Sequence, residues 1–580
     1  MKNVFAAVNK RHSRAMLIGL ALLLAGCYPS EVNVRPTLTA DTVVPAGAGV
    51  LVAKVINATS YPLPINQLTV TPEDINATED TKPFRLLAID RLDDQATIFS
   101  TTLPPGRYAL RSVRAFHVFG EVAYSRFVGA DVTFGTFDVE RGKVTDLGSI
   151  VYYRQIEGEG YDDVLFRIDG SGNGDTMTTY FPFVSFAPEN TLTWNDDGLE
   201  QERQDAYLSA VQNPNVFTEG HRFPDGGVLF TGPLGVTLER QNDGQFVLDA
   251  VDTNGHLFAA AQNAAGDRAV GGAEGALYTR AAGGQWEDRS LPAGQHVDQL
   301  KYDADGRLLA LARRGAVLSL LRLEDDQSWN ELNRFSPLTG WREETLVGES
   351  KNTGPAMPLI VASGLYDFAG EPYVRVAYRD VRYDTATPKW RAYAYDPATH
   401  RMTRYKNEKD RFSVFDGGSA RLGIQRKSFL GLSSAPKWNR YDPDEGWQEI
   451  KFEVRVCNRA ITEERYCGNA RPARPSRNVA FTLLSVPWFD RDDVGYTFAA
   501  FPRSRGGLPE EYGEPRLYVT KNGGQFWTDT GFAPPKPYCT NLVGEFTEHL
   551  LISCNGTSGE FYESTDGGEN WERVRELEAF

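Results

Sequence analysis

Histidine, methionine and cysteine are scarce in this chain of 580 residues, at seven, five and five copies. Neither an H-E-x-x-H pair nor a C-x-x-C occurs, so the compact donor sets that hold a catalytic or structural zinc have no signature here. A G-x-S-x-G elbow and a P-loop are missing too, which leaves serine-nucleophile hydrolysis and nucleotide chemistry without a motif. Long runs of one charge are absent, and 61 basic residues against 77 acidic ones give a net charge of −16. Such a surface repels polyanions, so nucleic acid is not an expected partner. No cofactor and no metal are implied by these patterns.

What the chain does have is apolar and turn-forming material. Hydrophobic residues make up 41% and aromatics 12%, with 55 Gly and 32 Pro. That is enough for a large core, and the length calls for more than one domain. Plentiful Gly and Pro with little Met favour short strands and many turns over helical bundles. The expected fold class is all-β.

Residues 1–27 read as a processing segment. Lys2, Lys10, Arg11 and Arg14 form a positive start without acids, and 15–26 is an unbroken apolar or small stretch, too short to span a bilayer. It ends in Leu24-Ala25-Gly26-Cys27, which resembles the lipobox of bacterial lipoproteins. The resemblance implies cleavage before Cys27 and lipidation of that residue. Removal of residues 1–26 takes away four basic residues and no acid, moving the net charge from −16 to −20. Acyl chains rather than a basic patch must then hold the protein to a membrane. Tyr28 follows the cysteine; in the lipoproteins it resembles, Asp there signals inner-membrane retention, and its absence implies transfer to the outer membrane.

The other cysteines are Cys457, Cys467, Cys539 and Cys554. An even number in an exported chain suggests two disulfides, with sequence neighbours as the expected pairs; a zinc site is the competing reading.

Residues 28–155 are rich in alternating strand patterns, such as 49–56, 108–116 and 119–127. Leu103-Pro104-Pro105-Gly106-Arg107-Tyr108 makes a turn feeding a strand. The Leu-Pro-x-Gly-x-Tyr pattern resembles prealbumin-like or Cna-B-like β-sandwiches, with 137–144 as the closing hairpin. Residues 156–215 form a connector, with a short helix expected around 200–211.

From 216 to 580 a hairpin recurs. Ser564-Thr565-Asp566-Gly567-Gly568-Glu569-Asn570-Trp571 fits Ser/Thr-x-Asp-x-Gly-x-x-Trp. Thr520-Lys521-Asn522-Gly523-Gly524-Gln525-Phe526-Trp527 fits with Asn for Asp, and Thr279 to Trp286, with Gly283 and Gly284 between, keeps the frame without the acid. Weaker echoes close at Phe246, Trp329, Tyr405 and Trp447. The pattern resembles the Asp-box, or BNR repeat, of sialidase-type β-propellers. It implies a structural role for Ser564, Asp566, Gly568, Trp571, Thr520, Asn522, Gly524, Trp527, Thr279, Gly283 and Trp286. The closing aromatics are spaced by 40, 43, 76, 42, 80 and 44 residues, and a short period near 42 suits a four-stranded blade. Seven blades are expected if the long intervals contain insertions, eight as the alternative.

A sialidase-like activity would need clustered arginines to grip a carboxylated sugar. The nearest match to the family's first arginine motif is Phe166-Arg167-Ile168-Asp169, which lacks the proline; the next arginine along the chain is Arg203. Asp169 to Asp175 alternates oxygen-bearing residues with glycine, but Tyr180 stands where an EF-hand loop needs Glu. Arg455, Arg459, Arg465, Arg471, Arg474 and Arg477 make one basic stretch in an acidic chain, and it suits either docking of an acidic partner or a solvated loop. The expectation is a lipid-anchored cell-envelope protein whose propeller binds a protein or glycan without catalysis. The alternative is an extracytoplasmic glycoside hydrolase on a sialidase-like scaffold.

Overall fold

The computed structural model describes residues 32–575 with interruptions, the longest at 337–357 and 453–481; residues 1–31 and 576–580 lie outside the described residues. Cys27, Cys457, Cys467, Tyr405, the arginines from 455 to 477 and most of 169–175 therefore lie outside them.

Gly49–Asn57, with a single charge at Lys54, is apolar on both of its faces, and every residue of it is buried. Such a strand needs cover on two sides. Its inward residues Leu51, Ala53 and Val55 join the core between two sheets. One sheet runs Asn33–Arg35, Phe84–Leu87, Gln67–Pro72, Gly106–Phe119 and Val122–Gly129, with Thr136–Val139 also paired to Gly106–Phe119; the other runs Gly160–Ile168, Val144–Glu157, Gly49–Asn57, Ala96–Leu103 and Asp90–Arg91. Leu68, Val113 and Phe137 from the first sheet meet Phe99, Ile150 and Tyr152 from the second. Tyr108 sits between the rings of Phe84 and Phe137 and donates its hydroxyl hydrogen to the Pro104 carbonyl at 2.8 Å.

Two details differ from the sequence reading. Residues 137–144 do not close a hairpin: Thr136–Val139 pairs in the first sheet, whereas Val144–Glu157 crosses to the second and runs parallel to Gly49–Asn57. The left-handed Gly142 makes the corner, and Val139 and Val144 bury on either side of it. The second sheet also extends past 155, because Gly160–Ile168 pairs antiparallel with Val144–Glu157 from Ser149 to Glu157. The connector that follows carries α1 (Glu200–Gln212). Trp194 plugs the end of the two-sheet core against Phe134 and Phe137 and donates Nε1–H to the Leu147 carbonyl.

The rest of the chain is a β-propeller. Among the described residues seven sheets succeed one another, at 219–250, 257–288, 296–335, 358–404, 412–449, 482–529 and 541–575, hereafter blades 1 to 7, a number consistent with the seven-blade reading. Most are four-stranded antiparallel meanders. First strands of neighbouring blades approach one another, as where Gln299 of blade 3 bonds to the Leu365 backbone of blade 4, while fourth strands are the more exposed. First strands therefore line the axis. The closing aromatics that lie among the described residues sit at or beside fourth strands, Phe246, Trp329 and Trp447 among them. Among its described residues after blade 3, the 76-residue interval holds four strands, Pro358–Phe368, Glu371–Asp380, Lys389–Tyr395 and Met402–Arg404. In blade 6, Lys451–Phe452 adds an outer strand parallel to Phe526–Asp529.

Blade 7 meets blade 1 through side chains. Phe561 packs on Phe230 at 4.7 Å and Phe246 at 5.3 Å, and Arg240 bonds Glu563 at 2.6 Å. The outer face of the two-sheet domain sits on the ring. Ile56, Val151 and Phe166 share a cluster with Ala210 of α1 and with Leu234 and Val236 of blade 1.

Candidate functional site

The recurring hairpins join third to fourth strands, so they lie at one end of the blades. In blade 7, Ser564 Oγ donates to Asp566 Oδ1 at 2.7 Å and accepts the Gly568 N–H at 2.8 Å; Asp566 Oδ1 also accepts the Asn570 N–H at 2.9 Å. Blade 6 repeats this geometry with Thr520, Asn522, Gly524 and Phe526, at 2.9, 2.9 and 3.0 Å. The bonds received from Asn570, backbone and side chain, and from Ser564 pull the Asp566 carboxyl down to about 2. Gly568 has φ +94°, and a Cβ there would stand 2.3 Å from Leu517 of blade 6. Only glycine fits.

In blade 2 the hairpin has Ala281 where the others have Asn or Asp, and a carboxylate from outside the hairpin bonds a different amide of its turn. Asp267, on the neighbouring hairpin, accepts the Ala282 N–H at 3.1 Å. Gly283 keeps a left-handed φ of 73°.

The tryptophans beside these turns reach backwards to the preceding blade. Trp286 donates Nε1–H to Asp249 of blade 1 at 2.9 Å under the Arg280 guanidinium, Trp329 donates to the Arg289 carbonyl after blade 2, and Trp571 donates to the Ala533 carbonyl after blade 6. Trp527 differs: it is fully buried, bonds the Gly524 carbonyl of its own turn and meets Phe489 of its own blade.

Cys539 and Cys554 form a disulfide at the edge of blade 7. Glu560 lies close to both sulfurs. Its carboxylate already faces Lys536, at 2.7 Å, and Arg573, so a cation there would displace two ion pairs.

Arg167 and Arg203 do converge, but outside the ring. Arg167 lies in strand Gly160–Ile168, donates to the Phe134 carbonyl at 2.9 Å and stacks over Trp194 at 4.5 Å. Arg203 of α1 bonds Asp197 and holds that carboxyl below its ordinary value, with Arg167 adding to the effect. These guanidiniums belong to the packing of the connector on the two-sheet domain.

The opposite end of the ring carries the second-to-third-strand turns and the links between blades. Near the axis, Asp298 of blade 3 accepts from Arg313 Nε at 2.8 Å and from Ser363 Oγ of blade 4 at 2.6 Å. Burial raises its carboxyl above the usual range despite the arginine. No motif marks Asp298 in the sequence, since its partners lie 15 and 65 residues away. The two-sheet domain covers this end at blades 1 and 2, where Lys54 meets Glu274 at 2.7 Å.

No protein-family model and no curated protein matches the chain. Solved structures of low identity do. YCF48 bound to D1 peptide is 12% identical, with 60% of this chain and 91% of that one covered at a TM-score of 0.36. The open-velcro propeller domain of the Trilobed protease from Pyrococcus furiosus is 11% identical, with 63% and 97% covered at 0.35. A GH74 xyloglucanase from Xanthomonas campestris is 15% identical, with 62% and 54% covered at 0.37. The β-propeller of this chain stands on its own succession of sheets and on the contact of the last with the first.

Proposed function

We propose that the chain is a lipid-anchored envelope protein, tethered through Cys27 to the outer membrane, whose propeller is a non-catalytic platform for a protein or glycan. The observation that carries this reading is the fate of Arg167 and Arg203: both are spent on Asp197, Trp194 and backbone outside the ring. A sialidase-type carboxylate grip would need such guanidiniums free over the axis. Rigid sheets presenting many loops at one end suit contact with a large partner. The turns at Thr520 and Ser564 act as Asp-boxes in this reading, bracing the opposite end.

Asp298 favours a second reading. A buried carboxyl with a raised pKa near a propeller axis suits a general acid, as a glycoside hydrolase requires.

The anchor is tested by metabolic labelling with an alkynyl fatty acid: the label is expected on the wild-type chain and absent from Cys27→Ser, and equal labelling of both sinks it. For the platform, the purified chain is assayed on a panel of chromogenic glycosides. No turnover is expected, whereas turnover abolished by Asp298→Asn would establish the hydrolase instead.

A further inference from the structure

Two turns beneath the two-sheet domain break the rule for their type. Leu234-Gly235 in blade 1 has φ values of 57° and 72°, and Glu274-Gly275 in blade 2 has 54° and 85°. Paired left-handed residues normally begin with Asn, Asp or Gly. Here a leucine and a glutamate are held in a conformation their side chains disfavour, and both end on the N-terminal domain. Leu234 is buried among Ile56, Val151 and Phe166. Glu274 accepts from Lys54, the one charge of Gly49–Asn57, which is 3% exposed. Strained residues that persist at a contact mark a place where the contact itself is over-determined.

One histidine lines this contact, and a second lies within reach of the Lys54 charge. A small cleft is lined by Lys54, Ile56 and Ala96 from above and by Gly255, His256, Ala273 and Glu274 from below. His256 stacks on Phe258. His296 opens the first strand of blade 3, opposite Arg313, and feels the charges of both Arg313 and Lys54. Both imidazoles are buried. Among the described residues, the charged groups around the pair are Lys54 of the N-terminal domain, Glu274 of the blade 2 turn, and Arg313 with its partner Asp298 in blade 3; a third titratable ring, the buried His221 of blade 1, bonds the backbone of Phe258, on which His256 stacks.

We propose that this interface is a latch released by acid: the N-terminal domain stays docked on the propeller while His256 and His296 are neutral, and it lifts away, uncovering that end of blades 1 and 2, when they take up protons. Two protonated rings would add two buried cations beside Lys54 and Arg313, against the carboxylates of Glu274 and Asp298 among the described residues. Release gives the rings water. Burial holds His256 down at about 3, and burial with Arg313 and Lys54 holds His296 well below the ordinary value of 6.5. Groups lowered in the docked state favour docking above pH 6.5 and oppose it below. Each ring hydrated on release then weakens docking about tenfold per pH unit under 6.5, and the two together about a hundredfold.

The test is hydrogen–deuterium exchange on the full-length chain in detergent, at pH 7.5 to 5.0, corrected for intrinsic rates. Peptides covering Gly49–Asn57 and residues 232–236 and 272–276 are compared with Leu550–Ser553 of blade 7. Protection at the interface is expected to fall tenfold or more between pH 6.5 and 5.5 while blade 7 holds. Glu274→Gln should lower interface protection already at pH 7.5, and His256→Gln should flatten the pH response. Interface protection that stays constant, or falls only together with blade 7, overturns the latch, as does a full pH response in His256→Gln. If His256→Gln does not fold, the wild-type ratio of interface to blade 7 protection decides.

Discussion

Removing the ring of Phe561 is expected to open the propeller where its last blade meets its first. Each described blade draws its antiparallel strands from one continuous stretch, blade 1 from 219–250 and blade 7 from 541–575. No backbone ladder joins these two among the described residues. Closure therefore falls to side chains, and Phe561 is central to them: it is 1% exposed and touches Phe230, Phe246 and Phe217 at 4.7, 5.3 and 6.3 Å. A buried Phe→Ala change costs about 3–5 kcal/mol. Three aromatic neighbours, each pair adding about 0.5–1.5 kcal/mol, place Phe561→Ala in the upper half of that range. Phe99→Ala is the control, equally buried but in the two-sheet core. A chain of several domains does not unfold in one step, so exchange protection is a better readout than a single midpoint. Phe561→Ala should speed exchange in Leu550–Ser553 of blade 7 and in Val228–Thr231 and Val236–Arg240 of blade 1 by about a hundredfold or more. Phe99→Ala should leave all three unchanged. Loss of protection in blade 7 alone, or a cost under about 1 kcal/mol, would refute closure by this cluster.

Other expectations follow from single contacts. Reducing Cys539–Cys554, which spans 15 residues, should lower the stability of blade 7 by about 3 kcal/mol, seen as an earlier thermal transition in reductant. Gly568→Ala forces a Cβ against Leu517 and should cost about 1–3 kcal/mol by chemical denaturation, whereas Gly567→Ala, with open space at φ +73°, should cost less. The Asp566 carboxyl, lowered by its hydrogen bonds, steadies its turn above pH 3.8 and loses that role as pH falls towards 2; a carbon-13 titration of the side chain with a midpoint near 3.8 would contradict the turn geometry.

Much of the architecture is legible because its signals are short-range. The hairpins at Thr520 and Ser564 use donors and acceptors within a few residues of each other, so residue type and spacing suffice to draw them. The spacing of closing aromatics likewise locates the fourth strands, since a blade is one contiguous meander. Blade 2 shows the limit: the carboxylate serving its turn is Asp267, from another hairpin, and no scan of 279–286 finds it. The hairpin expected at 137–144 also failed, because which sheet a strand joins depends on a partner about a hundred residues away, here Gly49–Asn57.

By itself the sequence determined what local chemistry can enforce: strands, tight turns, the period of the repeat, and an apolar start ending in Leu24-Ala25-Gly26-Cys27. Tertiary structure alone decided where charge and strain go. Arg167 could have lined an axis but lies against Trp194, and Lys54, an odd charge in an apolar strand, finds Glu274 220 residues away. The physical reason is that a buried charge must be answered wherever the fold brings an opposite one, and that distance in space has no counterpart in the order of residues.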